Sequence, residues 1–138
     1  MTKHTLFVCK SCAYSSTQRD YMGQRGGYHL LSHLLRLQPQ WTLAAEYTIA
    51  PVECLSACNR PCVVAYAVPH KTTLMFGDLS PFQSAIAILQ LAEQYHSSSD
   101  GLIPRQERPD ILRKGILARI PPCQPASPCT ESNYENRL

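Results

Sequence analysis

The sequence predicts an α/β fold, a mixed central sheet flanked by helices and followed by a C-terminal extension. Three observations predict it. Apolar, β-branched runs at residues 4–9, 62–68 and 72–78 alternate with stretches of helical periodicity. The second and third runs are separated only by Pro69-His70-Lys71, a hairpin turn. The chain then closes in a proline- and serine-rich stretch with no apolar periodicity.

Taken in order, "HTLFVC" (residues 4–9) reads as a first strand ending at a cysteine. Residues 10–26 are polar and glycine-bearing and read as an exposed loop. From Gly27, the positions of Leu30, Leu31, Leu34, Leu35 and Leu37 predict a helix. It should end by Gln38, because Pro39 disfavours helical geometry at the residue before it. Residues 41–50 hold a strand with Tyr47 and Ile49 on one face, stopped at Pro51. One helical turn is expected over Leu55 to Asn59, then a strand from Cys62 to Val68 and its hairpin partner from Thr72 to Asp78. Ser80-Pro81 predicts a helix start, a hydroxyl cap followed by a residue that needs no amide. That helix should carry Phe82, Ala85, Ile86, Leu89 and Tyr95 inward and fray at "SSSDG". A short helix near Pro109–Lys114 and an extended piece at Ile116–Ile120 complete the ordered part. The order is strand, helix, strand, hairpin, helix, which suits a layered α/β domain.

The chain has 138 residues, enough for one domain, and 44% hydrophobic residues, enough for a core without disulfide support. The formal net charge is only +3, and the nearest approach to a basic cluster lies between Arg105 and Arg119. Nucleic-acid binding is therefore not expected, because tracking phosphates needs a concentrated basic face. The N-terminal apolar stretch is too short for a secretory signal, and no window approaches a membrane span. A cytoplasmic protein is expected. Thiols stay reduced there, so clustered cysteines point to metal or redox chemistry.

The seven cysteines carry the functional signal. Cys9 and Cys12 follow the first strand in "LFVCKSC", and Cys54, Cys58 and Cys62 fall four apart in "VECLSACNRPC". If the strands before these two segments lie side by side, Cys9, Cys12, Cys54 and Cys58 converge as a four-thiolate site. Thiolates suit iron in iron–sulfur clusters, or zinc. Buried cysteine can also be a small core residue, yet core filling does not place five of them beside Gly, Pro and Asn. A CxxC pair after a strand, with Pro61 just before another strand, alternatively suggests thiol–disulfide exchange through Cys9 and Cys12. Such an enzyme needs its first cysteine at a helix N-terminus, and the expected helix begins well after Cys12. Paired cysteines with short spacers also make zinc sites, so a zinc protein or metal carrier is a further alternative.

"VECLSACNRPC" resembles the second cysteine pair of thioredoxin-like 2Fe–2S ferredoxins, among them the ferredoxin subunits of respiratory complex I and of hydrogenases. The resemblance covers roughly residues 4–96, including the order of strand, helix, strand, cysteine loop, hairpin and helix. More closely, "LFVCKSC", "CLSACNRPC", "FGDL" and "ERPDILRKGILARIPP" are similar to a family of small uncharacterised proteins predicted to bind metal. The resemblance implies a thioredoxin-like fold and a 2Fe–2S cluster on Cys9, Cys12, Cys54 and Cys58. It also implies one-electron transfer to a redox protein partner, or redox sensing, and a homodimer. The ferredoxins space their first pair more widely than Cys9 and Cys12. Cys62 is a fifth candidate metal ligand, either a structural thiol or one that exchanges with Cys12. Residues 1–100 are then the ferredoxin-like domain, 101–120 an extension packed on or near it, and 121–138 a disordered tail.

Other features carry less. Cys123 and Cys129 lie in the tail and read as free thiols. His29 and His33 are four apart on the first helix but flank its leucine stripe, so they read as solvated surface. Tyr14, Tyr21 and Tyr28 recur every seven residues within and just after a loop, without structural meaning. The "GQRGG" stretch (residues 23–27) lacks the lysine–hydroxyl pair of a phosphate loop, but could offer amides to cluster sulfurs. Lys10 and Arg60 are candidate positive charges beside the site.

Overall fold

The computed structural model describes residues 3–56 and 60–122. Strand β1 (His4–Cys9) lies inside a five-stranded mixed sheet. A small hairpin of β2 (Asp20–Tyr21) and β3 (Gln24–Arg25) leads into helix α1 (Gly26–Leu37). Strands β4 (Tyr47–Val52), β5 (Val64–Ala67) and β6 (Thr73–Phe76) follow, then helix α2 (Ala85–Ser97) and strand β7 (Ile116–Ile120). The sheet order is β4-β1-β5-β6-β7. Only the β1–β4 pair is parallel.

Register explains the core. Leu6 pairs with Ile49 on one side and Tyr66 on the other, and Tyr66 pairs with Leu74. Val8, Val64 and Phe76 form the next row. Because side chains alternate across a strand, both rows face the same way. Both helices bury their apolar stripes in that one cluster, through Leu30 and Leu34 of α1 and Ile88, Leu91, Ala92 and Tyr95 of α2. Each fully buried leucine contributes roughly 1.5–3 kcal/mol by leaving water.

Three buried tyrosines close the polar accounts of this core. Tyr47, Tyr66 and Tyr95 donate to the carbonyls of Ala92, Ile88 and Thr72 at 2.7, 2.8 and 2.7 Å. At the start of β1, Lys71 is 7% exposed. Its ammonium donates to the carbonyls of Tyr95 and His96 and to Nε2 of His4 at 2.7, 3.0 and 3.0 Å. A cation on the last carbonyls of α2 is a favourable helix terminus.

Several expectations need correction. The loop at 10–26 contains the β2–β3 hairpin. Strand β4 runs through Pro51 to Val52. Proline is tolerated there because β4 is an edge strand and its missing amide costs no ladder bond. Strand β5 opens at Val64 rather than Cys62; Cys62 has φ of 20° and bonds to Ala13 instead. Helix α2 begins at Ala85, not at Ser80. Ser84 folds back so that its hydroxyl accepts the Ser80 amide at 3.0 Å, making a separate turn before the helix. With that start, Phe82 and Ile86 are exposed at 43% and 63%. The expected helical turn at 55–59 lies partly, and the expected tail almost wholly, outside the described residues. Residues 116–120 of the extension form the fifth strand, paired with β6. Among the described residues, no helix is long and apolar enough to cross a membrane.

Candidate metal centre

The cysteine segments meet at the C-terminal ends of β1 and β4. The register pairs Cys9 with Val52, so the loop carrying Cys54 starts beside Cys9. The Lys10 amide donates to the Val52 carbonyl at 2.9 Å, and Lys10 pairs with Glu53 at 2.8 Å, tying the two loops together. A third segment joins them: the Cys9 amide donates to Val63, Ala13 to Arg60, and Cys62 to Ala13, at 3.1, 3.2 and 3.2 Å. Ala13 and Pro61 form an isolated parallel bridge. These bonds, from the end of β1 and the loop after it, bring the first and third cysteine segments together.

Cys9 points to the sheet face opposite the helices. There Cys9, Cys12 and Val63 are fully buried and packed with Leu55, Met75 and Leu117. Cys62 is also fully buried, and none of the described cysteines is in a disulfide. Burial, then a hydrogen bond with Cys9, drives the Cys12 thiol well above its ordinary pKa. Burial, then the neighbouring Cys9, pushes Cys62 up to about 12. Cys54 is exposed, and its sulfur accepts the Ser56 amide at 3.1 Å. Cys58, Cys123 and Cys129 lie outside the described residues.

Helix α1 begins against this site. The Gly27 amide donates to the Cys12 carbonyl at 3.2 Å. A β-carbon on Gly26 or Gly27 would collide with the backbone of Ala13 or Cys9. The glycines thus allow close backbone approach, and the Gly27 amide is spent on a carbonyl rather than on a sulfur. The long sequence separation between Cys12 and the helix hides this contact. Burial favours the protonated thiol at Cys12 and Cys62, whereas thiol–disulfide exchange needs an accessible thiolate. Among the described residues there is no cis peptide bond, including the one before Pro61.

The expected positive charges are compensated. Arg60 pairs with Asp78 at 2.5 Å, as Lys10 does with Glu53. Two other readings change. Tyr14 and Tyr21 stack with centroids 4.7 Å apart, and Phe82 and His29 pack on their edges. His29 Nε2 lies 2.5 Å from the Tyr21 carbonyl. His33 Nδ1 is buried without a hydrogen-bond partner among the described residues, so His33 is not simply solvated.

The donor set fits a soft metal in kind: the site gathers thiols beside a loop that carries more, in apolar surroundings. Among the described residues, no three His, Cys, Asp or Glu side chains are arranged to hold a metal ion as they stand. The loop after β4 holds Cys54 and, beyond the described residues, Cys58.

No curated protein matches the chain. A solved structure described as a thioredoxin-like [2Fe-2S] ferredoxin from Aquifex aeolicus is similar, with a TM-score of 0.50 at 12% identity, covering 86% of this chain and 94% of that one. At that identity the likeness shows the fold, which is thioredoxin-like. The model of a family described as "Protein of unknown function (DUF1636)" matches residues 6–122, and the chain belongs to that family.

Proposed function

We propose that this protein binds a soft metal through cysteine thiolates. In its most specific form the reading is a 2Fe–2S cluster on Cys9, Cys12, Cys54 and Cys58, used for one-electron transfer or redox sensing. The observation that carries it is the burial of Cys9, Cys12 and Cys62 beside the loop that bears Cys54. The ferredoxin-like neighbour supports the same reading.

A bound cluster supplies the one-electron chemistry. The chain's own residues hold and shield it. Cys9 and Cys12 are fixed by the bonds of their loop to Val63, Arg60 and Gly27. Val63, Met75 and Leu117 exclude water from one side. The ion pairs Lys10–Glu53 and Arg60–Asp78 cancel the nearby cations, so tuning falls to burial and backbone dipoles. In this reading Cys62 is either a structural thiol or a ligand that exchanges with Cys12. In this reading the protein works in the reducing cytoplasm with a redox protein partner, as a homodimer, and without nucleic acid or membrane.

Metal analysis of anaerobically purified protein tests it. About two iron and two sulfide per chain, as such a centre requires, are expected. About one zinc per chain and no iron would overturn the cluster while keeping the thiolate site. A protein that takes up neither metal would overturn both.

A further inference from the structure

Between β7, β6 and the segment after α2 lies a cavity of about 310 Å³. Its floor is apolar, from Leu74, Ile103 and Ile116, and Arg105, Arg108 and Arg119 line it. Arg119 pairs in register with Leu74, so it stands on the helix-side face of the sheet at the cavity wall. Arg108 is half-buried. Its guanidinium donates to the carbonyls of Ile103 and Leu112 at 3.2 and 3.1 Å and lies 5.7 Å from the centroid of the Phe76 ring.

These three cations are uncompensated. The described ion pairs involve Lys10, Arg25, Arg60 and Arg113, and among the described residues no carboxylate pairs with Arg105, Arg108 or Arg119. No acidic side chain lines the cavity. Arg119 and Arg105 instead act on Arg108 as like charges, adding to the cost of its burial. Arg105 and Arg119 are exposed at the cavity rim, whereas Arg108 is half-buried, where charge is normally paired. Arginine forks match carboxylate and phosphate oxygens in pairs. The cavity is at the small end of ligand-site volumes, about 300–1,000 Å³.

We propose that this cavity binds a small organic anion, a carboxylate or phosphate head on a short apolar tail. The head meets Arg105, Arg108 and Arg119, and the tail lies on Leu74, Ile103 and Ile116. The site is separate from the cysteines: Arg119 and Leu74 face the helix side of the sheet, whereas Cys9 and Cys12 pack with Leu117 of β7 in a second cluster on the opposite face. The basic cluster visible in the sequence thus lines a concavity of small-molecule size rather than a flat face for a nucleic-acid backbone.

The test is titration of the full-length protein, followed by amide NMR shifts, with octanoate and with octyl phosphate. Octanol, inorganic phosphate and a short single-stranded oligonucleotide are the comparison probes. At least one of the two amphiphilic anions is expected to shift residues 102–108 and 116–119. It should bind about tenfold more tightly than octanol or inorganic phosphate, and about tenfold more tightly to the natural chain than to Arg105→Gln/Arg119→Gln. Arg108 is left in place because its carbonyl bonds hold the segment. The double variant, freed of like-charge repulsion, should melt no lower than the natural chain, separating lost binding from lost folding. Absence of localised shifts with both anions, equal affinity in the double variant, or binding of octanol or inorganic phosphate as tight as that of the amphiphilic anions would overturn the proposal. So would tighter binding of the oligonucleotide at these residues.

Discussion

Gly27 sits so close to Cys9 that a β-carbon on Gly27 would overlap the Cys9 carbonyl oxygen. The start of α1 is therefore packed on the backbone of the cysteine loop, and the loop's geometry depends on that contact.

Gly27→Ala should destabilise the fold by about 1–3 kcal/mol through overpacking. The sign is informative, because alanine within a helix is otherwise favoured over glycine by roughly 1 kcal/mol. Urea unfolding measures it. In the proposed function, metal content should fall too, since the loop would have to move. A variant as stable as the natural chain would show that the close approach is not needed.

Burial predicts the order of thiol labelling. Cys54 is exposed, whereas Cys9, Cys12 and Cys62 are fully buried. In metal-free protein under native conditions, iodoacetamide should modify Cys54 first among these four, with site occupancy read by peptide mass spectrometry. Cys12 labelling as fast as Cys54 would revive thiol–disulfide exchange.

His4 and Lys71 predict a dependence on pH. The Lys71 ammonium has no lone pair, so at 3.0 Å His4 Nε2 must be the acceptor and the imidazole is neutral. Burial, then Lys71, lowers the His4 pKa from 6.5 to about 4. Between those values the unfolded chain takes up a proton that the folded one refuses, so stability rises with pH and levels off above about 6.5. The imidazole keeps contact with solvent, so the effect is about 1 kcal/mol. Denaturant melts between pH 4 and 7 should show the slope, and His4→Gln should remove most of it. An unchanged slope in that variant would assign it to other groups.

Lys71→Met strips the ammonium from the carbonyls of Tyr95 and His96 at the end of α2. A cost of about 2 kcal/mol is expected at neutral pH, read by thermal or urea unfolding. A neutral result would mean that water replaces the ammonium there.

Much of this architecture is legible in the sequence because burial writes a period into it. The alternation Leu6, Val8 and the stripe Leu30, Leu34 are visible without coordinates, and both lie in the core. The parallel pairing that brings the loop bearing Cys54 to Cys9 follows from the strand–helix–strand order. What the sequence hides is phase and proximity. Ser84 resets the start of α2, which turns Phe82 outward into an aromatic group with Tyr14 and Tyr21. Gly27 touches the cysteine loop across a gap in sequence that suggests separation. Cys62 reads as a strand residue but is held by Ala13 and packs in the main core, whereas Cys9 and Cys12 pack in a second buried cluster. None of these depends on a periodic pattern; each rests on a single contact that tertiary packing selects.

One-electron reduction of anaerobically purified protein, followed by visible absorbance and electron paramagnetic resonance, tests the central claim most directly. The account predicts visible absorption that bleaches on uptake of about one electron per chain, with a paramagnetic iron–sulfur signal, and loss of both in Cys9→Ser. A colourless, zinc-loaded or metal-free protein with no reducible centre would contradict it.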